Sequence, residues 1–321
     1  MGRIEIVTPA RAGSRTGNRH TAARWAAMLR AAGHRVAVRT QWQGARCDLL
    51  VALHAKRSHA SVVRYRAAQP RGQLAVVLTG TDLYRDLPAS AEARHSLALA
   101  DRIIVLQDEA PRLLEPRLRR KTRVVFQSAD PALRHDPPPR GLRVAVIGHL
   151  REEKDPFRAA AALAHLPRDA GVEVVQLGAA LAPGMEREAR RLMAREPRYR
   201  WLESVPHARA LAWLAKSHLL VVSSRMEGGA NVIAEAARIG TPVLASRVSG
   251  NIGMLGRKYP GYFPPGDERA LAKLLQRAAS DVGYRPRLRR ALSARRRLFA
   301  PAAERAALLR ALRPQLRARA R

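Results

Sequence analysis

Cysteine occurs once in this chain, at Cys47, which excludes an internal disulfide and any cysteine-based zinc cluster. Aromatic residues make up only 4%, so Leu, Val, Ile and Ala must fill the cores. No apolar run approaches the ~20 residues that cross a bilayer. The N-terminus opens on the strand-like Arg3–Thr8 with no charged and apolar leader before it, so a soluble cytoplasmic protein is expected. The ten histidines are dispersed, His-Glu-x-x-His is missing, and no metal site is expected. Gly-x-Gly-x-x-Gly does not follow the first strand and no phosphate loop ends in Gly-Lys, which argues against dehydrogenases and P-loop enzymes.

Acidic residues are scarce too. Lys plus Arg number 59 against 26 Asp plus Glu, a net charge of +33. Such a field attracts nucleic acid, acidic membranes or phosphorylated small molecules. The densest basic runs, Arg117 to Arg123 and Arg285 to Arg321, hardly interleave with aromatics. Base-stacking platforms are therefore not evident, and specific nucleic-acid binding is not expected. No amphipathic helix with aromatic membrane anchors stands out, so no membrane partner is expected either. A phosphate-containing substrate suits the charge.

What is present is alternation. Hydrophobic residues reach 47%, and 321 residues exceed what one core usually organises, so two domains are expected. In the first half, strand candidates are Arg3–Thr8, Arg35–Thr40, Asp48–Leu53, Gln73–Thr79, Arg102–Gln107 and Thr122–Phe126. Several are nearly all apolar, as strands covered on both faces are. Trp25, Met28, Leu29 and Ala32 share a helical stripe, and Gly33 suits the left-handed cap after it. Asp130–Gly141 contains Pro137, Pro138 and Pro139, which cannot continue a helix or central strand. Alternation then restarts with Leu142–Gly148, Val172–Gly178, Tyr199–Glu203, His218–Ser223 and Thr241–Ser246.

The expected fold is therefore α/β, with two Rossmann-like domains facing each other across a cleft. An N-terminal domain would cover 1–134, a linker 135–141 and a C-terminal domain 142–299. The helical segment from about 300 to 321 would join the first domain. Its stripe of Leu308, Leu309, Leu312 and Leu316 must be buried somewhere.

The most informative stretch is Ser223–Ser246. Glu227, Gly228 and Gly229 lie between a strand end and a helix starting near Ala230. Glycines there let backbone approach a ligand, and the amides of Ala230 and Asn231 at the helix start favour an anion. Glu227 and Glu235 are acceptor-only carboxylates suited to sugar diols. After Val144–Gly148 comes His149-Leu150-Arg151-Glu152-Glu153-Lys154-Asp155-Pro156, a loop that carries the cations Arg151 and Lys154 beside two carboxylates. In the first half, His54, Lys56 and Arg57 follow the third strand, and Thr79, Gly80 and Thr81 follow the fourth. Doubly wound sheets bind ligands at such strand ends. Asp82 could instead cap the following turn.

Ser223–Ser246 resembles the Glu-x7-Glu motif of GT-B glycosyltransferases of the GT4 kind. That resemblance implies that Glu235 holds ribose, that Glu227 holds the donor sugar and that Gly228–Asn231 hold sugar and phosphate. It implies no cofactor beyond a nucleotide-sugar co-substrate. The 148–156 loop is similar to the Gly-Arg-Leu-x-x-x-Lys loop of those enzymes. Lys154 matches its Lys. His149 stands at its Arg position, and Arg151 is the alternative for that role. Gly17 and Asn18 match a donor-facing loop after the first strand. Gly178 and Glu203–Val205 match loops that flank the base.

Gly17-Asn18, Ala52–Ser58, Leu78–Asp86, Ser96–Arg102, Val105–Gln107 and His149–Pro156 together resemble the selenosugar synthases of selenoneine biosynthesis. That family joins a UDP-sugar, UDP-N-acetylglucosamine (UDP-GlcNAc) or UDP-glucose, to selenophosphate. The resemblance implies functional links to a selenophosphate synthetase and to the enzyme that couples the selenosugar to hercynine. It also implies that Glu227, Lys154, Arg151 and His54 serve catalysis, and that Lys56, Arg57, Thr79, Gly80 and Thr81 hold the acceptor. The competing expectations are a GT4-type transferase with a hydroxyl acceptor and a non-catalytic sugar-nucleotide or polyanion binder.

Overall fold

The structure, a computed structural model, describes residues 1–10 and 17–317, with side chains to Arg313. It forms two compact units: Met1–Gln127 together with the segment from Pro301, and Ser128–Ala300.

Unit 1 holds β1 (Arg3–Val7), β2 (Arg35–Arg39), β3 (Leu49–Leu53), β4 (Gln73–Val77), β5 (Arg102–Val105) and β6 (Thr122–Val124). They form one parallel sheet in the order β2-β1-β3-β4-β5-β6. All five residues of β3 are buried. Period-two geometry sends alternate side chains to opposite faces. Leu50, Ala52, Leu74, Val76 and Ile103 build one core. Leu49, Val51, Leu53, Ala75 and Ile104 build the other. Both faces are covered, which explains the unbroken apolar runs.

The second core also takes Trp25 and Leu29 from helix Gly17–Arg30, and Leu308 and Leu312 from helix Pro301–Arg317. Glu304, buried on that last helix, accepts from the Trp25 indole at 2.7 Å and pairs with Arg24 at 2.9 Å. The apolar stripe is thus buried on unit 1. The side chain of Leu316 lies outside the described residues.

Unit 2 holds β7 (Leu142–Ile147), β8 (Val172–Leu177), β9 (Tyr199–Trp201), β10 (Leu219–Val222), β11 (Val243–Ser246) and β12 (Tyr262–Phe263). Its parallel order is β12-β11-β10-β7-β8-β9, the nucleotide-binding arrangement in which the winding reverses between β7 and β10. In unit 1 the reversal falls between β1 and β3. Ligands of such sheets bind beyond the carboxyl ends of the strands at the reversal. That rule points to the loops after β7, β10, β1 and β3.

Most strands stop one or two residues before the expected ends. Gly148 (φ 155°), Gly178 (φ 146°) and Glu203 (φ 55°) leave extended geometry and end the ladders. The proline-rich segment is held by unit 2. The amides of His135 and Asp136 donate to the carbonyls of Ile239 and Ala215. His218 bonds the Pro138 carbonyl at 2.9 Å. The boundary between the units therefore lies between Gln127 and Ser128, ahead of the 135–141 linker. The short β12 and helix Glu268–Ser280 had no place in the sequence reading.

Candidate active site

The loops after β7 and β10 meet at the unit 2 reversal. Lys154 and Glu227 form an ion pair there. Glu227 is only 7% exposed, and Ser224 Oγ donates to the same Oε1 at 2.6 Å. A carboxylate taken this far from water needs such charged and hydroxyl partners. The two loops are stitched together at the backbone. The Ser223 hydroxyl donates to the carbonyls of Lys154 and Asp155, and the Arg225 amide to that of Glu153. Asp155, in left-handed geometry at φ 45°, turns the chain directly after Lys154. Its carboxylate is gripped by Arg158, which also pairs with Glu268.

A second restraint on Glu227 comes from helix Ser249–Leu255. A Cβ on Gly250 would lie 1.8 Å from the Glu227 carbonyl oxygen and 2.6 Å from its Cβ. Only glycine permits that approach, and it holds the Glu227 backbone from behind.

Gly228, Gly229 and Ala230 lead into helix Asn231–Ile239. Ala230 occupies the N-cap without a side-chain oxygen to bond the first-turn amides. Replacing a capping Ser or Asn by Ala usually costs about 1 kcal/mol. Such a helix start suits a bound anion. Glu235, on the second turn, accepts from His207 Nε2 at 2.8 Å. That hydrogen bond lifts the His207 pKa above its ordinary 6.5. The ion pair is therefore complete at low pH and is lost as pH rises through the raised value. An NMR titration should place the His207 midpoint above 6.5, and Glu235→Gln should bring it back down. An unshifted midpoint in the unaltered protein would refute the pairing.

The remaining predicted donor residues are placed as follows. His149 does not extend as a free cation: its Nδ1 accepts the Ala179 amide at 3.1 Å and ties the β7 loop to the β8 loop. Gly178 crosses Gly148 so closely that a Cβ there would lie 2.0 Å from the Gly148 carbonyl oxygen. The Glu203 carbonyl receives the Gly178 amide at 2.7 Å, while its carboxylate turns to Arg190 at 2.9 Å. Arg151, half-exposed on the Lys154 loop, makes no side-chain hydrogen bond or ion pair among the described residues.

In unit 1, Gly17 and Asn18 open helix Gly17–Arg30. Arg11 to Thr16 of the same loop lie outside the described residues. His54 ends β3 in left-handed geometry (φ 72°) and is buried. Its Nε2 lies 3.2 Å from Thr81 Oγ1 and 3.7 Å from Asp86, and its Nδ1 accepts the Arg57 amide at 3.4 Å. Burial holds the imidazole pKa below the usual range. Lys56 and Arg57 are exposed beside it.

The amides of Thr79 and Gly80 are already engaged. The buried Asp82 carboxylate accepts both at 2.8 Å, and the Ala55 amide at 3.1 Å. Asp82 does not cap the turn after it: its carboxylate reaches back to amides that precede it in the chain, and these amides hold a carboxylate of the chain itself. Asp82→Ala would orphan all three, a loss of about 3 kcal/mol or more in urea unfolding. A loss below ~1 kcal/mol would show that the amides find other partners.

Sequence reasoning missed Ser224, Gly250, Asp155 and His207. Gly250 lies four residues beyond the end of β11, inside helix Ser249–Leu255, where a glycine is the one local signal. Among the described residues, no group of three or more His, Cys, Asp or Glu could hold a metal ion. None of the described helices is long and apolar enough to cross a membrane.

Two doubly wound parallel units, with a lysine–glutamate pair at the reversal of the second, define a GT-B glycosyltransferase. Solved structures agree on the fold. The Anabaena HepE structure with UDP and glucose is 17% identical, with a TM-score of 0.78 over 98% of this chain and 100% of that one. Sucrose-phosphate synthase from Thermosynechococcus elongatus is 19% identical, at 0.78 over 99% and 100%. The lipopolysaccharide outer core galactosyltransferase WaaB is 13% identical, at 0.72 over 98% and 100%. No curated protein matches the sequence. Residues 134–297, just over half of the chain, match the family described as Glycosyl transferases group 1, and the chain belongs to that family.

Proposed function

We propose that this glycosyltransferase moves a hexose from UDP-N-acetylglucosamine or UDP-glucose to selenophosphate and so makes a selenosugar. The observation that carries the donor half is the Lys154–Glu227 pair at the unit 2 reversal. HepE, which shares the fold, has been solved with UDP and with UDP-glucose. The acceptor half rests on the resemblance to selenosugar synthases. Of the runs that carry it, Ala52–Ser58, Leu78–Asp86 and Val105–Gln107 lie at the ends of β3, β4 and β5 in one sheet, and His149–Pro156 follows β7 in the other.

In this reading Lys154 and Arg151 face the diphosphate with the start of helix Asn231–Ile239. Glu235 holds ribose and Glu227 the sugar. As the C1–O bond breaks, its electron pair goes to the β-phosphate oxygen, where the cations stabilise the developing charge. Selenium supplies the pair that forms C1–Se, giving a sugar whose selenium still carries the phosphoryl group; water then cleaves Se–P, leaving the selenol of the selenosugar and inorganic phosphate. Selenophosphate is already anionic, so no proton has to be removed first. Lys56 and Arg57 suit its charge, and His54 with Thr81 positions it. A group 1 transferase of this kind uses the nucleotide sugar as co-substrate and needs no further cofactor.

One observation favours a second reading, a hydroxyl acceptor. Asp82 fills the Thr79–Gly80 amides that a phosphate would otherwise use. Asp86 beside His54 would also suit a base that accepts a hydroxyl proton. Product mass spectrometry separates the two. The protein receives each UDP-sugar with selenophosphate generated in place, beside phosphate-only and enzyme-free controls. A sugar with the selenium isotope pattern and matching UDP release is expected. UDP release without selenium transfer would overturn the acceptor and keep the transferase. Absence of both would overturn the donor reading.

A further inference from the structure

Behind Glu227 runs a buried chain of polar groups that the donor chemistry does not itself use. Asn251, on helix Ser249–Leu255, is fully buried. Its Nδ2 donates to the carbonyl and the hydroxyl of Ser246, each at 3.0 Å. Ser246, the last residue of β11, is also fully buried, and its Oγ donates to the Ser224 carbonyl at 2.5 Å. Ser224 in turn donates to the Glu227 carboxylate. The Asn251 Oδ1 is buried without a hydrogen-bond partner among the described residues. An orphaned buried amide oxygen carries the desolvation penalty of a lost hydrogen bond. A side chain that retains its amide against that penalty needs a reason beyond packing.

The geometry points to Asn251 and Ser246 as positioning residues for transfer. Asn251 orients the Ser246 hydroxyl and that hydroxyl holds the Ser224 carbonyl, so the Ser224 hydroxyl arrives in one place and sets one carboxylate oxygen of Glu227. Gly250, the neighbour of Asn251, holds the Glu227 carbonyl side. Glu227 is thus aimed from the buried side by β11 and this helix, and from the exposed side by Lys154. The inference rests on the proposed role of Glu227 towards the donor sugar. It predicts which step suffers: the diphosphate is held by other groups, so UDP binding is spared while sugar transfer is not.

The test uses the full chain with Ser246→Ala, Asn251→Ala, Ser246→Thr and Glu227→Gln. Thermal melting, UDP affinity by calorimetry and UDP release from the UDP-sugar are measured. Ser246→Ala and Asn251→Ala should stay folded, bind UDP within about threefold of the unaltered protein, and lose kcat roughly 100-fold. Ser246→Thr keeps the hydroxyl and should recover most of that rate. A folded Ser246→Ala with normal kcat beside an inactive Glu227→Gln overturns the positioning inference alone. A fully active Glu227→Gln overturns the reading of Glu227, and the inference with it. Joint loss of melting temperature, UDP affinity and rate in both alanine variants, unrelieved in Ser246→Thr, marks a structural role and also overturns it.

Discussion

Gly250→Ala is expected to lower sugar transfer about 100-fold or more while the protein remains folded. The new Cβ would lie 1.8 Å from the Glu227 carbonyl oxygen and 2.6 Å from the carbonyl carbon. Both are backbone atoms, so no side chain can rotate away and the loop itself must move. Overpacking of this kind usually costs about 1–3 kcal/mol, less than the ~5–15 kcal/mol that keeps a domain folded. Activity is more sensitive, because a displacement near 1 Å at a reacting group can cost about 100-fold. Melting temperature and UDP release, measured side by side, separate the two effects. Normal transfer by a folded Gly250→Ala protein would mean that the Glu227 loop tolerates movement.

Lys154→Ala should reduce kcat by roughly 10²–10³, the usual loss when one group aimed at developing charge is removed. It should also cost more stability than Glu227→Gln. Lys154 is 37% exposed, so without its partner it turns to water. Glu227 is 7% exposed and would keep only the Ser224 hydroxyl. Removing one partner of a buried pair leaves the other charge uncompensated. The double variant Lys154→Ala with Glu227→Gln should therefore lose less stability than the two single losses added. Strict additivity in urea unfolding would show that the pair does not interact in solution. An unchanged kcat for Lys154→Ala would remove it from the chemistry.

Much of the fold was legible because it rests on local patterns. Apolar runs such as Leu49–Leu53 are too short for helices and too continuous for half-exposed strands. They announced a covered parallel sheet, and eleven of the twelve strands among the described residues were located within a few residues. The twelfth, β12, has two residues and exists only through its pairing with β11. Glu227, Lys154 and Glu235 were singled out by their place beyond strand ends and by the resemblance of those stretches to glycosyltransferase motifs; the structure pairs the first two and turns the third to His207. The carboxylate filling the Thr79–Gly80 amides was not legible: Asp82 read as a cap for the turn after it, and it serves the amides before it.

The sequence alone determined the alternation of strand and helix, the two-part organisation and the residue types at the strand ends. These follow from periodicity and turn chemistry, which act over a few neighbouring residues. Only the tertiary structure decided the strand order, and with it the reversal that brings the loops of Lys154 and Glu227 together. Only it showed that Gly250 backs Glu227, that His207 meets Glu235 and that Asn251 reaches Ser246. Those contacts join separate elements, and they exist only once the parallel sheets have assembled and both faces are covered.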